Sequence, residues 1–289
     1  MNIKVFTLNA FSKITNGGNP AGVVLNSDNL STKQMSLIAK KVAFSETAFV
    51  QKSNKATLKI RFFTPNKEIN LCGHATIATF YLLAKKKLLK PGHYTLESKS
   101  GILNIEIKKD KAIFMNQNLP KFLNKLEKKE IAKSLNIPEK IIPNDLPIQI
   151  VSTGLKDILI PIKSIDALDK IKPNINSISN IAKKHKAIGY HLFTLETKYN
   201  SNAYCRNFAP LYGISEESAT GTATGALACY LFKYGKILKK QINNLTFEQG
   251  YSMKRPSKIL ANLKIKNNSI IEIKIGGLAS NIKEVKINI

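Results

Sequence analysis

The stretch INLCGHATIATFYLL, from Ile69 to Leu83, places a cysteine, a glycine and a histidine in front of an apolar run. A second stretch, SATGTATGALACYLF from Ser218 to Phe232, has the same build, and both contain the pattern G-x-A-T-x-A. An apolar run without a polar face is typical of a helix that is buried on every side. The sequence therefore predicts two buried helices of one kind, one in each half of the chain.

The similarity between the halves extends upstream of the glycines. The segments RFFTP (Arg61–Pro65) and RNFAP (Arg206–Pro210) both read Arg-x-Phe-x-Pro, and their prolines stand 8 and 11 residues before Gly73 and Gly221. Two of the three arginines in the protein thus fall at the same place in the two copies. A strand, a proline loop, G-x-A-T and an apolar helix in the same order twice indicate an internal duplication.

Length and composition favour two globular domains. The chain has 289 residues, of which 43% are hydrophobic and 8% aromatic, enough for two cores of about 100–150 residues each. The pattern changes near residues 117–125, which places the boundary between a first domain, 1–118 completed by 278–289, and a second domain, 119–277. The order of predicted elements mixes hairpins and single helices, which fits an α+β fold better than a doubly wound parallel sheet. We expect two similar domains, each a mostly antiparallel, β-barrel-like sheet wrapped around a central helix.

The remaining composition excludes several classes of protein. No apolar window is long enough for a membrane span, and the first residues, MNIKVFTLNAF, alternate like a strand rather than a signal peptide, so a cytoplasmic location is expected. Cys72, Cys205 and Cys229 form no CxxC pair, and the histidines lack metal-ligand spacing, so neither a disulfide nor a metal is expected. The net charge of +26 comes mainly from lysines spread along the chain. This pattern indicates a solvated surface, with no specific nucleic-acid partner and no membrane partner.

Each predicted helix begins with an anion-binding arrangement. The first N–H groups of a helix lack intrahelical partners and carry the positive end of the dipole, and a glycine there lets a ligand approach the backbone. If the two domains pack face to face, Gly73 and Gly221 would bind one small carboxylate in the cleft between them. His74 lies in the first helical turn as a candidate acid/base, where the dipole favours a neutral imidazole. Glu46, in AFSETAFVQ, is a candidate proton carrier whose pKa partial burial would raise.

Five motifs carry a resemblance to a known family. They are GNPAGVVL (Gly18–Leu25), SETAFV (Ser45–Val50), FFTPNKEINLCGHAT (Phe62–Thr76), EESATGTA (Glu216–Ala223) and QGYSMKRPS (Gln249–Ser257). Together they resemble the PhzF-like family of phenazine-biosynthesis isomerases, in the order of that family and over nearly the whole chain. The family is similar in fold to diaminopimelate epimerase, which has two like domains, each a sheet around a central helix.

The resemblance implies proton transfer without a cofactor or a metal. The known member isomerises trans-2,3-dihydro-3-hydroxyanthranilate by moving a proton between ring positions. Carried over by position, Glu46 is the general acid/base and His74 its polar partner, while Gly73, Gly221 and Thr222 line the carboxylate end of the site. Asn19, in the first motif, is also expected to bind the substrate. Family members are often dimers, so the resemblance implies a homodimer.

One motif departs from the family pattern. The family usually reads E-D-P-x-T-G-S-A, whereas this chain has Glu217 in place of the aspartate, Ser218 in place of the proline and Thr222 in place of the serine. A carboxylate is kept, one methylene longer and on a backbone without proline, so Glu217 stays a catalytic candidate. Because site geometry matters at about the 1 Å level, the departure leaves the phenazine reaction itself open and keeps generic proton transfer.

Two alternatives remain beside the isomerase. Related epimerases use two opposed cysteines, and Cys72 occupies the first of these positions, but Thr220 stands at the second, where a hydroxyl is a poor base without help. We therefore include Cys72 and Thr220 among the substrate-binding residues and keep a racemase or epimerase that uses Cys72 as an alternative. A third possibility is a non-catalytic metabolite-binding protein of the same fold.

Overall fold

The computed structural model describes residues 1–289. The chain divides into two compact units, one made of residues 1–116 with 276–289 and the other of residues 117–275. The boundaries expected from the sequence differ from these by two residues. The structure contains eighteen strands and six α-helices, which agrees with the predicted α+β class.

The first unit contains two helices and nine strands, of which β8 reaches the boundary. In chain order they are β1 (Asn2–Ala10), β2 (Asn19–Val24), α1 (Thr32–Val42), β3 (Glu46–Gln51), β4 (Leu58–Phe63), β5 (Glu68–Ile69), α2 (Gly73–Lys85), β6 (Gly92–Ser98), β7 (Gly101–Ile107), β8 (Ile113–Gln117) and, from the end of the chain, β18 (Ala279–Asn288). β18 pairs with β1 in antiparallel fashion, so the last strand completes the unit that the first strand begins.

The second unit contains four helices, and its last strand, β17, reaches the boundary. In chain order its elements are β9 (Lys121–Lys125), α3 (Lys128–Ser134), β10 (Gln149–Ser152), β11 (Lys156–Pro161), α4 (Ile165–Lys170), α5 (Ile175–Lys184), β12 (Gly189–Thr194), β13 (Ala203–Ala209), β14 (Ile214–Glu217), α6 (Gly221–Lys233), β15 (Leu245–Gln249), β16 (Ser257–Lys266) and β17 (Ser269–Gly277).

The strand pairing repeats in the two units. In the first, β1–β2 is antiparallel, β2–β3 parallel, β3–β4 and β4–β5 antiparallel, β4–β6 parallel and β6–β7 antiparallel. In the second, β10–β11, β11–β12, β12–β13, β13–β14, β13–β15 and β15–β16 follow the same series of directions. Parallel neighbours need a crossover connection, and helices supply it at the same places. The internal duplication inferred from two short motifs therefore extends over six strand pairs.

The two G-x-A-T helices lie inside their units. Every residue of α2 from His74 to Ala84 is buried, and α2 packs against β1, β2 and β3. In α6 the run from Ala223 to Leu231 is buried, and the helix packs against β10, β11 and β16. The central helices predicted from their apolar faces are thus present in both units. α2 ends at Lys85, and the chain leaves it through Lys87, which adopts a left-handed conformation (φ 59°).

The paired arginines have a structural role in both units. Arg61 in β4 donates two hydrogen bonds to the Glu68 carboxylate, at 2.8 and 2.9 Å. Arg206 in β13 donates two bonds of the same lengths to Glu216. Each guanidinium therefore meets a carboxylate in the bidentate geometry that fixes a strand against the segment that follows it. The repeated Arg-x-Phe-x-Pro motif marks this clamp rather than a ligand site.

The remaining helices, α1 in the first unit and α3, α4 and α5 in the second, cover the faces of the sheets that the central helices do not cover. α1 begins at a capping box, in which Gln34 N donates to Ser31 Oγ and Ser31 N donates to Gln34 Oε1. Its buried face packs on residues of β1, β3 and β4. In the second unit α3, α4 and α5 lie over a core that includes Ile158 and Tyr190. None of the six helices combines the length and the apolar character needed to cross a membrane.

Candidate active site

Three chain elements of the first unit begin at the same place. β2 starts at Asn19, β3 starts at Glu46, and α2 starts at Gly73 with Cys72 as its N-cap. β2 and β3 are parallel with Ala21 opposite Glu46. Because side chains alternate along a strand, Asn19, two residues before Ala21, projects from the same face as Glu46. This register brings residues 27 positions apart in the sequence to the start of the central helix.

His74 is the centre of the resulting cluster. Its Nε2 lies 3.2 Å from Glu46 Oε2, and its Nδ1 lies 3.3 Å from Asn19 Nδ2. Cys72 Sγ is 3.5 Å from Nδ1 and 3.9 Å from Nε2, and Ser45 Oγ is 3.5 Å from Nε2. The exposed fractions of Glu46, Cys72 and His74 are 9%, 7% and 6%. The structure thus brings four of the predicted residues, Asn19, Glu46, Cys72 and His74, into one buried polar group.

The charge state of Glu46 differs from the sequence expectation. Burial alone would raise its pKa, as expected, but the positive charge of His74 and hydrogen bonds from His74, Ser45 and Cys72 outweigh burial and lower it. Glu46 Oε2 has no hydrogen bond of good geometry in spite of the 3.2 Å approach of Nε2, so the contact with His74 is mainly an ion pair. At neutral pH Glu46 is therefore a carboxylate, which suits a base that takes a proton first.

The expectation of a neutral His74 is wrong for the same reason. Burial lowers the pKa of His74, but its electrostatic contacts and hydrogen bonds with Cys72 and Glu46 outweigh burial and raise it well above its ordinary value. The helix dipole favours the neutral ring, but its effect on the pKa of His74 is smaller than that of a carboxylate 3.2 Å away. The two protonation states need opposite orientations of the Asn19 amide, because a protonated Nδ1 donates to an oxygen and an unprotonated Nδ1 accepts from the NH2 group.

Cys72 is less reactive than its position suggests. Burial raises the pKa of its thiol, and the negative charge of Glu46 raises it further, against a smaller opposing effect of His74. A thiol with a raised pKa is a poor nucleophile at neutral pH. Of the two residues beside His74, Glu46 is therefore the group that carries negative charge. Cys205 and Cys229 are buried core residues, as expected.

The second unit holds the other predicted residues around the start of α6. Thr220, the N-cap of α6, donates from Oγ1 to Glu217 Oε2 at 2.5 Å. The buried Gln249 accepts from Thr220 N at 3.1 Å and donates to the Glu217 carbonyl at 2.7 Å and to Thr220 Oγ1 at 3.1 Å. The longer carboxylate that replaces the family's aspartate is thus tied to the helix start by the residue that stands where epimerases have a second cysteine.

Gly221 and Thr222 present their carbonyls to two side chains that sequence reasoning missed. Gln117 Nε2 donates to the Gly221 carbonyl at 3.1 Å, and Thr153 Oγ1 donates to the Thr222 carbonyl at 3.3 Å. Neither Cys72 nor Thr220 forms a side-chain cap on its helix. The N-cap side chains therefore do not occupy the first-turn N–H groups of α2 and α6, which keeps the predicted anion-binding arrangement intact in each unit.

Three further polar residues escaped the sequence reasoning. Ser45 and Gln249 lie inside quoted motifs, so their position beside Glu46 and Glu217 offered a signal. Asp157 lies in no motif. It is 1% exposed, its Oδ2 has no hydrogen-bond partner, and burial together with the negative charge of Glu217 raises its pKa to about 8. Asp157 is consequently a protonated, neutral carboxyl at neutral pH.

Comparison with known proteins places the chain in a family. The model of the PhzC-PhzF family, described as phenazine biosynthesis-like protein, matches residues 8–284. The chain belongs to the PhzC-PhzF family. A Bacillus subtilis relative named as the uncharacterized isomerase YfhB is 35% identical over 263 residues, which are 89% of each chain. The trans-2,3-dihydro-3-hydroxyanthranilate isomerase of Pseudomonas fluorescens is 28% identical over 277 residues, 93% of this chain and 94% of that protein. These relatives confirm the prediction of an isomerase at this level of description.

Solved structures agree with the PhzC-PhzF assignment. A Bacillus anthracis phenazine biosynthesis protein of the PhzF family superposes with a TM-score of 0.91 at 32% identity, covering 100% of both chains. A hydroxyproline epimerase from Agrobacterium vitis has a TM-score of 0.63 at 9% identity, over 99% of this chain and 92% of that one. At that identity the similarity concerns the fold alone. The predicted epimerase-like fold is thereby confirmed.

Proposed function

We propose that this PhzC-PhzF family isomerase transfers a proton within a small carboxylate substrate, with Glu46 as the general acid/base and no cofactor. The observation that supports this most directly is the buried Glu46–His74 contact of 3.2 Å. It supplies a carboxylate of lowered pKa in a site where water is largely excluded. A carboxylate in such a place can take a proton from an activated carbon and return it without exchange with bulk water at every step.

The reaction that fits these groups is an allylic proton shift. The Glu46 carboxylate takes a proton from one carbon of the substrate, and the electron pair of the broken C–H bond delocalises into the conjugated system. Glu46 then returns the proton to another carbon, so that no atom or electron is gained or lost. The His74 imidazolium stabilises the carboxylate before transfer and the negative charge that the substrate develops during it. Asn19 faces Nδ1 at 3.3 Å, and with its amide oxygen turned toward Nδ1–H it would hold the imidazolium ring in place.

The substrate class follows from the helix starts and from a relative. N–H groups that no N-cap side chain occupies favour a carboxylate, and we assign Gly73, Gly221 and Thr222 to this task, with Glu217 as a second catalytic carboxylate. The Pseudomonas fluorescens relative is named for a cyclic amino acid of this kind. We propose that the substrate is a related cyclic or unsaturated amino or hydroxy acid, because this chain has Glu217 and Ser218 where the family has an aspartate and a proline. The binding of this substrate between the two units, a homodimer and a cytoplasmic location stay predictions.

Deuterium incorporation tests the assignment of Glu46. The protein is incubated in heavy water with candidate cyclic amino acids, and exchange into carbon positions is followed by NMR. We expect Glu46→Gln to lower the exchange rate by about 10²–10⁴-fold, the range that a general acid/base contributes. Glu248→Gln is the matched control, since Glu248 is also buried but accepts from backbone N–H groups of residues 198 and 199. Undiminished exchange in Glu46→Gln would exclude Glu46 as the base.

A racemase that uses Cys72 is the second candidate, because Cys72 Sγ lies 3.5 Å from His74 Nδ1. Its raised thiol pKa and the hydroxyl of Thr220 at the second base position argue against it. Cys72→Ser separates the two reactions. An isomerase that uses Glu46 keeps most of its exchange activity in this variant, whereas a thiol-based racemase loses it.

A further inference from the structure

Three different metal-binding groups meet in the first unit. The Glu46 carboxylate, the Cys72 thiol and the His74 imidazole place one donor atom each within 4.8 Å of one another. They come from separate elements, because Glu46 begins β3 while Cys72 and His74 flank Gly73 at the start of α2. The proposed proton transfer uses Glu46 and His74 but gives the thiol no task. The arrangement of the three donors therefore carries information beyond that reaction.

Two of the three distances between the donors are close to those of a tetrahedral metal site, and the third pair, Glu46 and Cys72, lies within 4.8 Å. Zinc bonds of ~2.3 Å to sulfur and ~2.0–2.2 Å to nitrogen and oxygen, set at tetrahedral angles, separate nitrogen and oxygen ligands by ~3.3 Å and sulfur and nitrogen ligands by ~3.6 Å. In the protein His74 Nε2 is 3.2 Å from Glu46 Oε2 and 3.9 Å from Cys72 Sγ. These atoms would bind a cation once side-chain torsions of Glu46 and Cys72 adjust the donor distances to those of the metal.

The type of donor selects the type of cation. Thiolate and imidazole ligands favour Zn²⁺ and Co²⁺, whereas Mg²⁺ and Ca²⁺ prefer sites built from oxygen alone. The surroundings also orient the ring, because Asn19 contacts Nδ1, the ring nitrogen away from Glu46. A half-turn of its amide would present the oxygen to Nδ1–H, the outer-shell contact that metal-bound histidines usually make. Gly73 leaves room at the helix start, since a Cβ there would meet only Met115 Cε, at 3.6 Å.

We propose that Glu46, Cys72 and His74 form a reversible site for a thiophilic divalent cation such as Zn²⁺. The protein supplies three ligands, and the fourth tetrahedral position is left for water or a substrate oxygen. Binding releases two protons to solvent, one from the S–H bond of Cys72 and one from Nε2–H of the His74 imidazolium, and forms bonds from sulfur and from Nε2 to the metal. If Glu46 is the base, as in the proposed function, the bound cation occupies its carboxylate and inhibits the isomerase.

Cobalt spectroscopy tests the site without any enzymatic assay. The chelator-treated protein is titrated with Co²⁺ alone, and absorbance is followed for a sulfur-to-cobalt charge-transfer band and for the intense visible bands of tetrahedral Co²⁺. We expect one equivalent to bind, and Zn²⁺ to displace it. Cys72→Ser should abolish the charge-transfer band and weaken binding by at least ~10-fold, the lower end of what loss of a supporting group costs a metal site. Cys229→Ser, a buried cysteine of α6, is the matched control and should keep both.

Two results would overturn the site. One is the absence of a charge-transfer band in the unaltered protein, and the other is a band that persists in Cys72→Ser. A second measurement needs no variant: Zn²⁺ should slow the labelling of Cys72 by a small thiol reagent at least ~10-fold, read by peptide mass spectrometry. Equal labelling with and without Zn²⁺ contradicts the proposal. Because neither experiment measures isomerisation, failure of the proposed reaction would leave these results unaffected.

Discussion

The two units of this protein share a frame and differ in where they hold a buried carboxyl. β3 and β12 each follow a crossover, each pairs with a parallel strand, and their fourth residues, Phe49 and Leu192, stand opposite the paired arginines. In the first unit the first cross-strand pair is Ala21 with Glu46, and in the second it is Asp157 with Gly189. The two pairs occupy the same position in the ladder, but the carboxyl lies on the second strand of the pair in the first unit and on the first strand of the pair in the second unit.

The difference shows how surroundings decide the charge of a buried carboxyl. Glu46 lies beside His74, which outweighs the effect of burial and lowers the carboxyl pKa. Asp157 has no such partner at Oδ2, and its pKa is raised to about 8. One frame thus holds an ionised carboxylate in one unit and a neutral acid in the other. The duplicated fold fixes positions, while the residues beside each position decide its chemistry.

The largest expected effect concerns the two arginine clamps. The side chain of Arg206 is 7% exposed and also donates to the carbonyls of Leu168 and Ile171, whereas that of Arg61 is 20% exposed. Arg206→Met should cost about 3–5 kcal/mol, because it leaves a buried charge and two carbonyls without partners. Arg61→Met should cost about 1 kcal/mol, since solvent screens that pair. Urea denaturation measures both, and equal losses would show that the clamps are energetically alike.

Gly189 occupies the position in the second unit that Glu46 occupies in the first, and the space around it excludes a side chain. A Cβ at this position would lie 1.9 Å from the Phe208 carbonyl oxygen, so the backbone of β13 must move. We expect Gly189→Ala to cost about 1–3 kcal/mol through overpacking. Gly73→Ala is the control, since its Cβ would meet only one atom at ordinary contact distance, and its cost should stay within about 0.5 kcal/mol. Thermal denaturation that gives the reverse order would refute this account of why the second unit lacks a glutamate here.

Removal of His74 should make Glu46 behave more like Asp157. Without the imidazolium, burial is no longer outweighed, and the pKa of Glu46 rises. Activity that needs the carboxylate is present above this pKa and is lost as pH falls through it, so in His74→Phe the acid limb of the rate profile should move to higher pH. The rate at the optimum should fall about 10-fold. The exposed His93→Phe is the control, and an unmoved acid limb in His74→Phe would mean that His74 does not hold Glu46 ionised.

The effect at Asp157 is the smallest at any single step of pH. Its folded pKa, about 8, lies above the ordinary value of 3.8, so the neutral carboxyl stabilises the fold most below the lower value and loses that contribution as pH rises toward the folded pKa. Between these values the stability of the protein should fall with a slope of up to about 1.4 kcal/mol per pH unit. Asp157→Asn should flatten this dependence in urea denaturation, while the exposed Asp110→Asn should not. An unchanged slope would indicate that Asp157 is ionised in the fold.

Much of the fold could be predicted from patterns that repeat. The two apolar helices, the duplicated arginines and the capping box at Ser31 all follow from local sequence, because helix burial and capping depend on neighbouring residues. The parallel pairs β2–β3 and β11–β12 could not be read in this way. They depend on pairings across whole helices, for which the sequence carries only a weak signal.

The same distinction between local sequence and contacts made by the fold applies to the candidate site. Motifs brought Glu46, His74, Cys72 and Asn19 to notice, and the structure places them together. Their charge states were predicted in the wrong direction, because burial and the helix dipole can be inferred for one residue alone, whereas a contact of 3.2 Å between two residues requires the fold. Asp157 was missed for a related reason, since only its position in the sheet distinguishes it from a surface aspartate.

The pairing of β18 with β1 gives the first unit a particular order of assembly. On the ribosome β1 is made before the second unit, but its partner β18 follows only after the whole second unit has been synthesised. The second unit can therefore close while the chain is still growing, whereas the unit that contains Glu46 and His74 depends on contacts of very high sequence separation, which form slowly. A ribosome that stops early would thus release chains with a finished second unit and an open sheet edge where the first unit should close.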